Sequence, residues 1–167
     1  ICEEIAKASA GVFTTCLTVH TSLFQMPILR FGSKELKQRF LPRTTKGEIL
    51  GCFGMTETHS GSDVAGTEMN ARPDGKNWIL KGNKIWISNG GIADVALIFA
   101  QTDRTKGHRG ITAFLVERGT PGFSTRDIHD KLGLRDSNTA EIILQDCPVP
   151  AENIVGAVGE GFRVGMH

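Results

Sequence analysis

From Ile49 onward the chain is cut into short β-branched and aromatic runs that leave no room between them for helical crossovers, and this spacing constrains the fold more than any other feature. The runs are Leu50 to Met55, Trp78 to Leu80, Lys84 to Ser88, Val95 to Ala100, Ile111 to Glu117 and Ile142 to Leu144. Between them stand Asp74-Gly75, Asn89-Gly90-Gly91 and Pro121-Gly122, which supply positive φ or preset φ for chain reversal. Parallel neighbours need a connection of a dozen or more residues, usually a helix. The expected sheet is therefore antiparallel, a barrel or a sandwich. Glycine, 20 of 167 residues, fits a chain with many tight turns.

The first third has a different period. Ile5, Ala8, Val12, Cys16, Val19 and Leu23 recur at spacings of three and four, one face of a helix that Pro27 is expected to end or kink. Gly32 then supplies a stop and Ser33 an N-cap for a second helix, about Lys34 to Leu41, whose buried stripe is Leu36, Phe40 and Leu41. The fold class is thus α+β, a helical piece followed by a β domain. No Asp, Glu, Lys or Arg occurs from Ala8 to Leu29, but Thr14, Thr15, Thr18, His20, Thr21, Ser22 and Gln25 are too polar for a lipid-facing span. No secretory signal opens the chain, so an intracellular setting is expected. Lys and Arg number 19 against 18 Asp and Glu and are scattered, which excludes the clustered basic face that nucleic acid requires. Cys2, Cys16, Cys52 and Cys147 show no CxxC spacing and read as buried free thiols. The chain starts at Ile1, and GEGFRVGMH reads as a helix that has only begun, so a fragment of a longer protein is expected.

Two segments carry candidate chemistry. GMTETHSGSDVAG, Gly54 to Gly66, follows a strand; Thr56, Thr58, Ser60 and Ser62 offer hydroxyls, and its glycines allow close backbone approach to oxygen-rich groups. A plain connecting loop is the alternative reading. In NKIWISNGG, Asn83 to Gly91, Trp86 and Ser88 sit two apart and so share a strand face, a flat ring beside a hydroxyl; Trp86 could equally be a core residue. His59, between Glu57 and Asp63, lacks companions at metal-ligand spacing, and no GxSxG elbow exists. GAVGEG, Gly156 to Gly161, is not GxGxxG.

Taken together and in order, GMTETHSGSDVAG, NKIWISNGG, RGITAFLVERGTPGF, KLGLRDSNTAEIILQDCPVPAENIVG and GEGF resemble the acyl-CoA dehydrogenase family along essentially the whole chain. The resemblance implies that residues 1–48 are the end of an N-terminal helical domain, 49–154 a middle β-barrel domain that binds flavin, and 155–167 the start of a C-terminal helical bundle. It implies FAD as cofactor, held by Phe53, Met55, Thr56, Gly61, Ser62, Trp86, Ile87 and Ser88. In the family, the equivalents of Met55 and Thr56 lie against the isoalloxazine. Ser62 is shared between cofactor phosphate and the acyl-CoA arm, Trp86 packs on the ring, and Ser88 reaches flavin N5.

The reaction implied is α,β-dehydrogenation of an acyl-CoA thioester, with electrons passed to an electron-transferring flavoprotein or similar acceptor. The catalytic Glu of the family belongs to its C-terminal domain, so no catalytic residue is expected in this chain, nor turnover by the chain alone. A homotetramer is expected at full length, in a bacterial cytoplasm or a mitochondrial matrix. Family loops commonly have Pro where Thr58 stands and Tyr where Phe53 stands. GCFGMTE looks most like the glutaryl-CoA and alicyclic branches, but Thr14 stands where the glutaryl branch has Arg, so an uncharged acyl chain, short, branched or cyclic, is expected. An acyl-CoA oxidase on the same fold and a non-catalytic β-barrel scaffold are the competing readings.

Overall fold

The computed structural model describes residues 2–9 and 15–167. Val12 and Thr14, and the side chain of Cys2, lie outside the described set. Helix α1 spans Cys2–Ala8. A second helical rod begins as α2, Cys16–Thr18, widens into a π-helical segment, Val19–Gln25, and finishes as α3, Met26–Phe31. Of the two outcomes expected at Pro27, an end or a kink, the helix does not end there. It has no N–H to donate and its ring crowds the carbonyl four residues back; here it follows the widened turn, where Met26 N–H already bonds Thr21 O. Ser33 caps α4, accepting from Leu36 N–H at 3.2 Å. Helix α4 spans Lys34–Thr45, one turn beyond the expected end, running through Pro42.

Eight strands follow: β1 Gly51–Gly54, β2 Asn70–Asp74, β3 Asn77–Ser88, β4 Val95–Gln101, β5 Ile111–Glu117, β6 Phe123–Asp127, β7 Thr139–Pro150 and β8 Ile154–Val155. They form one sheet in the order β6-β7-β3-β2-β4-β5-β8, with β1 beside β4. The expectation of antiparallel pairing holds except on one edge of β4. There β1 runs parallel, from Gly51 opposite Val95 to Gly54 opposite Ile98, and β2 joins in parallel at Asn70 opposite Gln101. No α-helix connects these neighbours, only the short 3-10 turn Val64–Gly66. The chain leaves the β4 edge after Gly54 and returns three residues further along it, and residues 55–69 are the excursion.

Strand β4 is buried at every position. Ala96, Ile98 and Ala100 join Phe114, Val116, Leu80 and Ile142 in the barrel core, while Val95, Leu97 and Phe99 join Leu115, Phe24, Ile28 and Phe40 in a second core under the helices. A strand covered on both faces reads as a continuous apolar run, which is why VALIFA was legible. Helices and barrel are also tied by polar struts. His20 Nδ1 accepts from Gly51 N–H at 2.9 Å while its Nε2 faces Thr44 O at 3.0 Å, and Asn89 Nδ2 donates to Cys16 O at 3.2 Å. The acceptor role of Nδ1 fixes the ring as the Nε2–H tautomer.

The segments Trp78 to Leu80 and Lys84 to Ser88 are one long strand. Between Leu80 and Gly82 its register with β7 slips by an extra residue on β7; between Lys84 and Ile87 it slips back by an extra residue on β3. Asp146 and Trp86, at φ 48° and 61°, sit at the two bulges. Of the thiols, Cys52 and Cys147 are buried and unpaired, burial pushing them up to about 12 and about 11; Cys16 is only half-buried. No helix among the described residues is long and apolar enough to cross a membrane.

Candidate functional site

The excursion between β1 and β2 is held from beneath by one side chain. Lys84, on β3, is fully buried, and its ammonium donates to Met55 O at 3.0 Å, Glu57 Oε1 at 2.7 Å and Thr67 Oγ1 at 2.8 Å. Glu57 in turn accepts from Glu68 N–H at 2.7 Å, Met69 N–H at 3.0 Å and the Thr67 hydroxyl. All three Lys84 protons and both Glu57 oxygens are thereby used, the condition under which a buried ion pair is tolerated. Burial pulls Lys84 down to about 8, partly offset by Glu57. Burial alone would raise Glu57, but the Lys84 charge and the hydrogen bonds to Lys84, Thr67 and Glu68 outweigh it and hold the carboxyl below its ordinary value.

The loop closes on itself above this pair. Glu57 N–H bonds Ser60 O at 2.9 Å and Ser60 N–H bonds Glu57 O at 3.3 Å, a two-residue reversal over Thr58 and His59. The four hydroxyls noted in the sequence now separate. Ser60 is buried and donates to Asp63 O at 2.6 Å, and Thr58 faces the His59 ring at 3.2 Å. Thr56 is half-buried and Ser62 exposed, and among the described residues neither hydroxyl has a hydrogen-bond partner. Gly61 is open to solvent, with no atom within 4 Å of where a Cβ would stand. His59 pairs with Glu68 at 2.8 Å, and no group of three potential metal ligands occurs among the described residues.

Strand β3 brings the second segment alongside. Ile85 N–H bonds Thr56 O at 2.9 Å, so the residue before Trp86 is stitched to the loop. Trp86 and Ser88 stand on either side of the buried Ile87, and Trp86 lies within the bulge between Lys84 and Ile87. Trp86 takes a left-handed φ, rare for a bulky residue, and its side chain is 58% exposed. That excludes the core reading of Trp86. Ile87 points into the barrel core, so only its backbone is offered to a ligand. Ser88 is half-buried, its hydroxyl also without a partner among the described residues.

Phe53 and Met55 belong to the core beneath the helices: the Phe53 ring lies 4.9 Å from that of Phe99, and Met55 Cε lies against Gly165 of α5, Gly161–Gly165. The Ile85–Thr56 bond thus brings Thr56 beside the strand segment that carries the exposed indole and Ser88, while Ser62 and Gly61 lie exposed further along the same loop. A cleft of about 640 Å³ between Leu36, Arg39, Ile154 and Val158 shares no residue with this group. The Lys84–Glu57 pair escaped the sequence reading, in which Lys84 is one of two lysines on β3.

The models of two domains match. The acyl-CoA dehydrogenase middle domain covers residues 52–147 and the N-terminal domain residues 1–48. The chain belongs to the acyl-CoA dehydrogenase family. Short-chain specific acyl-CoA dehydrogenase of Megasphaera elsdenii is 46% identical over 165 residues, 98% of this chain and 43% of the relative. The structure of butyryl-CoA dehydrogenase from the same organism superposes with a TM-score of 0.94 at 43% identity, over 98% of this chain and 43% of that one. A glutaryl-CoA dehydrogenase from Mycobacterium smegmatis, solved with FADH2, gives 0.88 at 44% identity over 96% and 40%. The chain spans about two fifths of the length of these relatives.

Proposed function

We propose that this chain carries the barrel-side half of the flavin site of an FAD-dependent acyl-CoA dehydrogenase. Trp86 carries the reading: a large aromatic held in a strained left-handed bulge and turned outward is what a ring-stacking site needs and what a fold alone would avoid. The residues present fit the group. Trp86 offers a flat face to a flat heteroaromatic, Ser88 and Thr56 offer free hydroxyls beside it, and Gly61 and Ser62 leave an open edge for phosphate oxygens. The relative solved with FADH2 supports the choice of flavin.

FAD, when bound, supplies the hydride acceptor for α,β-dehydrogenation of an acyl-CoA. This chain's residues bind and orient: Trp86 packs on the ring, Ser88 donates a hydrogen bond where negative charge develops as hydride arrives, and Ser62 anchors phosphate or the thioester arm. Glu57, the carboxylate inside the loop, has every oxygen engaged and is not free to take the α proton. The base comes from outside this cluster. The substrate is an uncharged short, branched or cyclic acyl-CoA, in line with the short-chain and butyryl names of relatives; the acceptor is an electron-transferring flavoprotein or similar carrier, and the whole enzyme a homotetramer.

Titrating the chain with FAD, followed by flavin fluorescence and the visible band, tests the site. Saturable binding is expected, weakened at least tenfold by the double substitution Trp86→Ala, Ser88→Ala. No saturable binding by the unaltered chain, or equal binding by both, refutes the reading.

A further inference from the structure

Resting on the flavin reading above, we propose that Lys84 and Glu57 are positioning residues that lock the two halves of the cofactor site, the Met55–Met69 loop and the Trp86–Ser88 bulge, into a single rigid piece. The placement of the pair carries this. Lys84 stands two residues before Trp86 on the same strand, at Ile142 on the β7 register, where the bulge begins. Its ammonium reaches three separate points of the loop: Met55 O at the start, Glu57 in the first turn and Thr67 near the end. Glu57 then takes the two N–H groups, of Glu68 and Met69, through which the loop rejoins the sheet.

The loop needs such a device because of the sheet around it. It leaves the β4 edge opposite Ile98 and returns opposite Gln101, so its ends stand about three strand residues, roughly 10 Å, apart with no strand between them. Backbone pairing cannot fill that gap. The buried pair does, supplying six hydrogen bonds where a ladder would have run. A buried pair adds little net stability against apolar replacements of similar size, whereas its directional bonds specify one arrangement. The bulge is held from the same point, because Ile85 N–H, next to Lys84, bonds Thr56 O. Loop and indole therefore cannot shift independently while the pair is intact.

The test separates positioning from stability. Lys84→Met alone strands a buried carboxylate and is expected to destabilise the fold strongly; the double variant Glu57→Gln, Lys84→Met removes both charges and is expected to recover most of the melting temperature. In that double variant, measured without FAD, amide hydrogen exchange over residues 57–69 should rise at least tenfold while β4 and β5 keep their protection, and the FAD Kd should weaken at least tenfold. Thr67→Val keeps both charges and the side-chain shape, and should raise exchange over 57–69 at least threefold; it decides the matter if the double variant does not fold. Wild-type exchange in whichever of these variants folds, or an FAD Kd within twofold in the folded double variant, overturns the positioning role alone. Absence of FAD binding by the unaltered chain overturns the flavin reading and this role with it.

Discussion

Replacing Gly51 with Ala tests whether helices and barrel form one body beneath the site. A Cβ at Gly51 would stand 2.1, 2.2 and 2.5 Å from three ring carbons of Phe24, against ordinary carbon contacts of about 3.5–4.0 Å. Phe24 has no exposed surface into which to retreat. Its ring stacks on His20, centroids 6.1 Å apart, and His20 in turn accepts from Gly51 N–H, so moving the ring strains the strut that holds β1 to the helix. Overpacking of a tight core costs about 1–3 kcal/mol, and an overlap of more than 1 Å on a ring this confined belongs near 3 kcal/mol. For a chain of this length that is a fall in Tm of roughly 6–12 °C. The assay is thermal unfolding by circular dichroism of Gly51→Ala, Phe24→Leu and the double variant. Because the leucine vacates the clashing volume, the double variant should lose at least 1 kcal/mol less than the sum of the singles. A loss under about 0.5 kcal/mol for Gly51→Ala, or strict additivity, would refute the packing argument.

At Trp86, Asn tolerates a left-handed φ, and relief of about 1–2 kcal/mol of backbone strain is set against lost burial of the covered part of the indole, a term of similar size. Trp86→Asn should therefore move Tm by less than about 4 °C while FAD binding weakens at least tenfold; a large Tm change with intact binding would make Trp86 a packing residue. The buried pair predicts two pH effects, readable as unfolding free energy and loop exchange. Glu57 sits below its ordinary value when folded, so its contribution is complete above about pH 4.5 and lost as pH falls through the folded value, and Glu57→Gln should flatten that acid limb. Lys84 sits at about 8 when folded against 10.5 ordinarily, so between those values the unfolded chain holds a proton the folded one has released, and this group's contribution to stability rises with pH. Protection over residues 57–69, taken relative to the intrinsic base-catalysed exchange rate, should nonetheless fall above pH 8, since the loop then loses its charged donor; an alkaline limb unchanged by Lys84→Met would count against both assignments.

How much of this was legible follows from what each residue faces. Strands β4 and β5 were plain because both faces are covered and the runs are mostly apolar. Strand β2, NARPD, and β6, FSTRD, were missed because they are mostly exposed and polar, and β2 contains a Pro. Strand β3 read as two pieces because Gly82 interrupts it; the glycine is needed there, its φ being 143° and any Cβ falling 2.9 Å from Met69 Cα. The parallel β1–β4 pair was hidden by the rule that parallel neighbours need a crossover helix. Here the site loop and the β2–β3 hairpin make the crossover instead.

The candidate site shows the same division. Its hydroxyls, glycines and indole were visible as residue types, but which hydroxyls remain free depends on the Glu57–Ser60 reversal, and the aim of Trp86 depends on a bulge that no periodicity encodes. Lys84 was least legible, since a lysine in a strand normally marks the solvent face. It is buried because residues 55–69, which take no regular place along β4, close over it and engage its ammonium at Met55, Glu57 and Thr67. The break in the barrel and the candidate flavin loop are thus one feature. A substitution that let the backbone of 55–69 pair regularly along β4 would repair the sheet only by removing the surface on which the proposed cofactor rests.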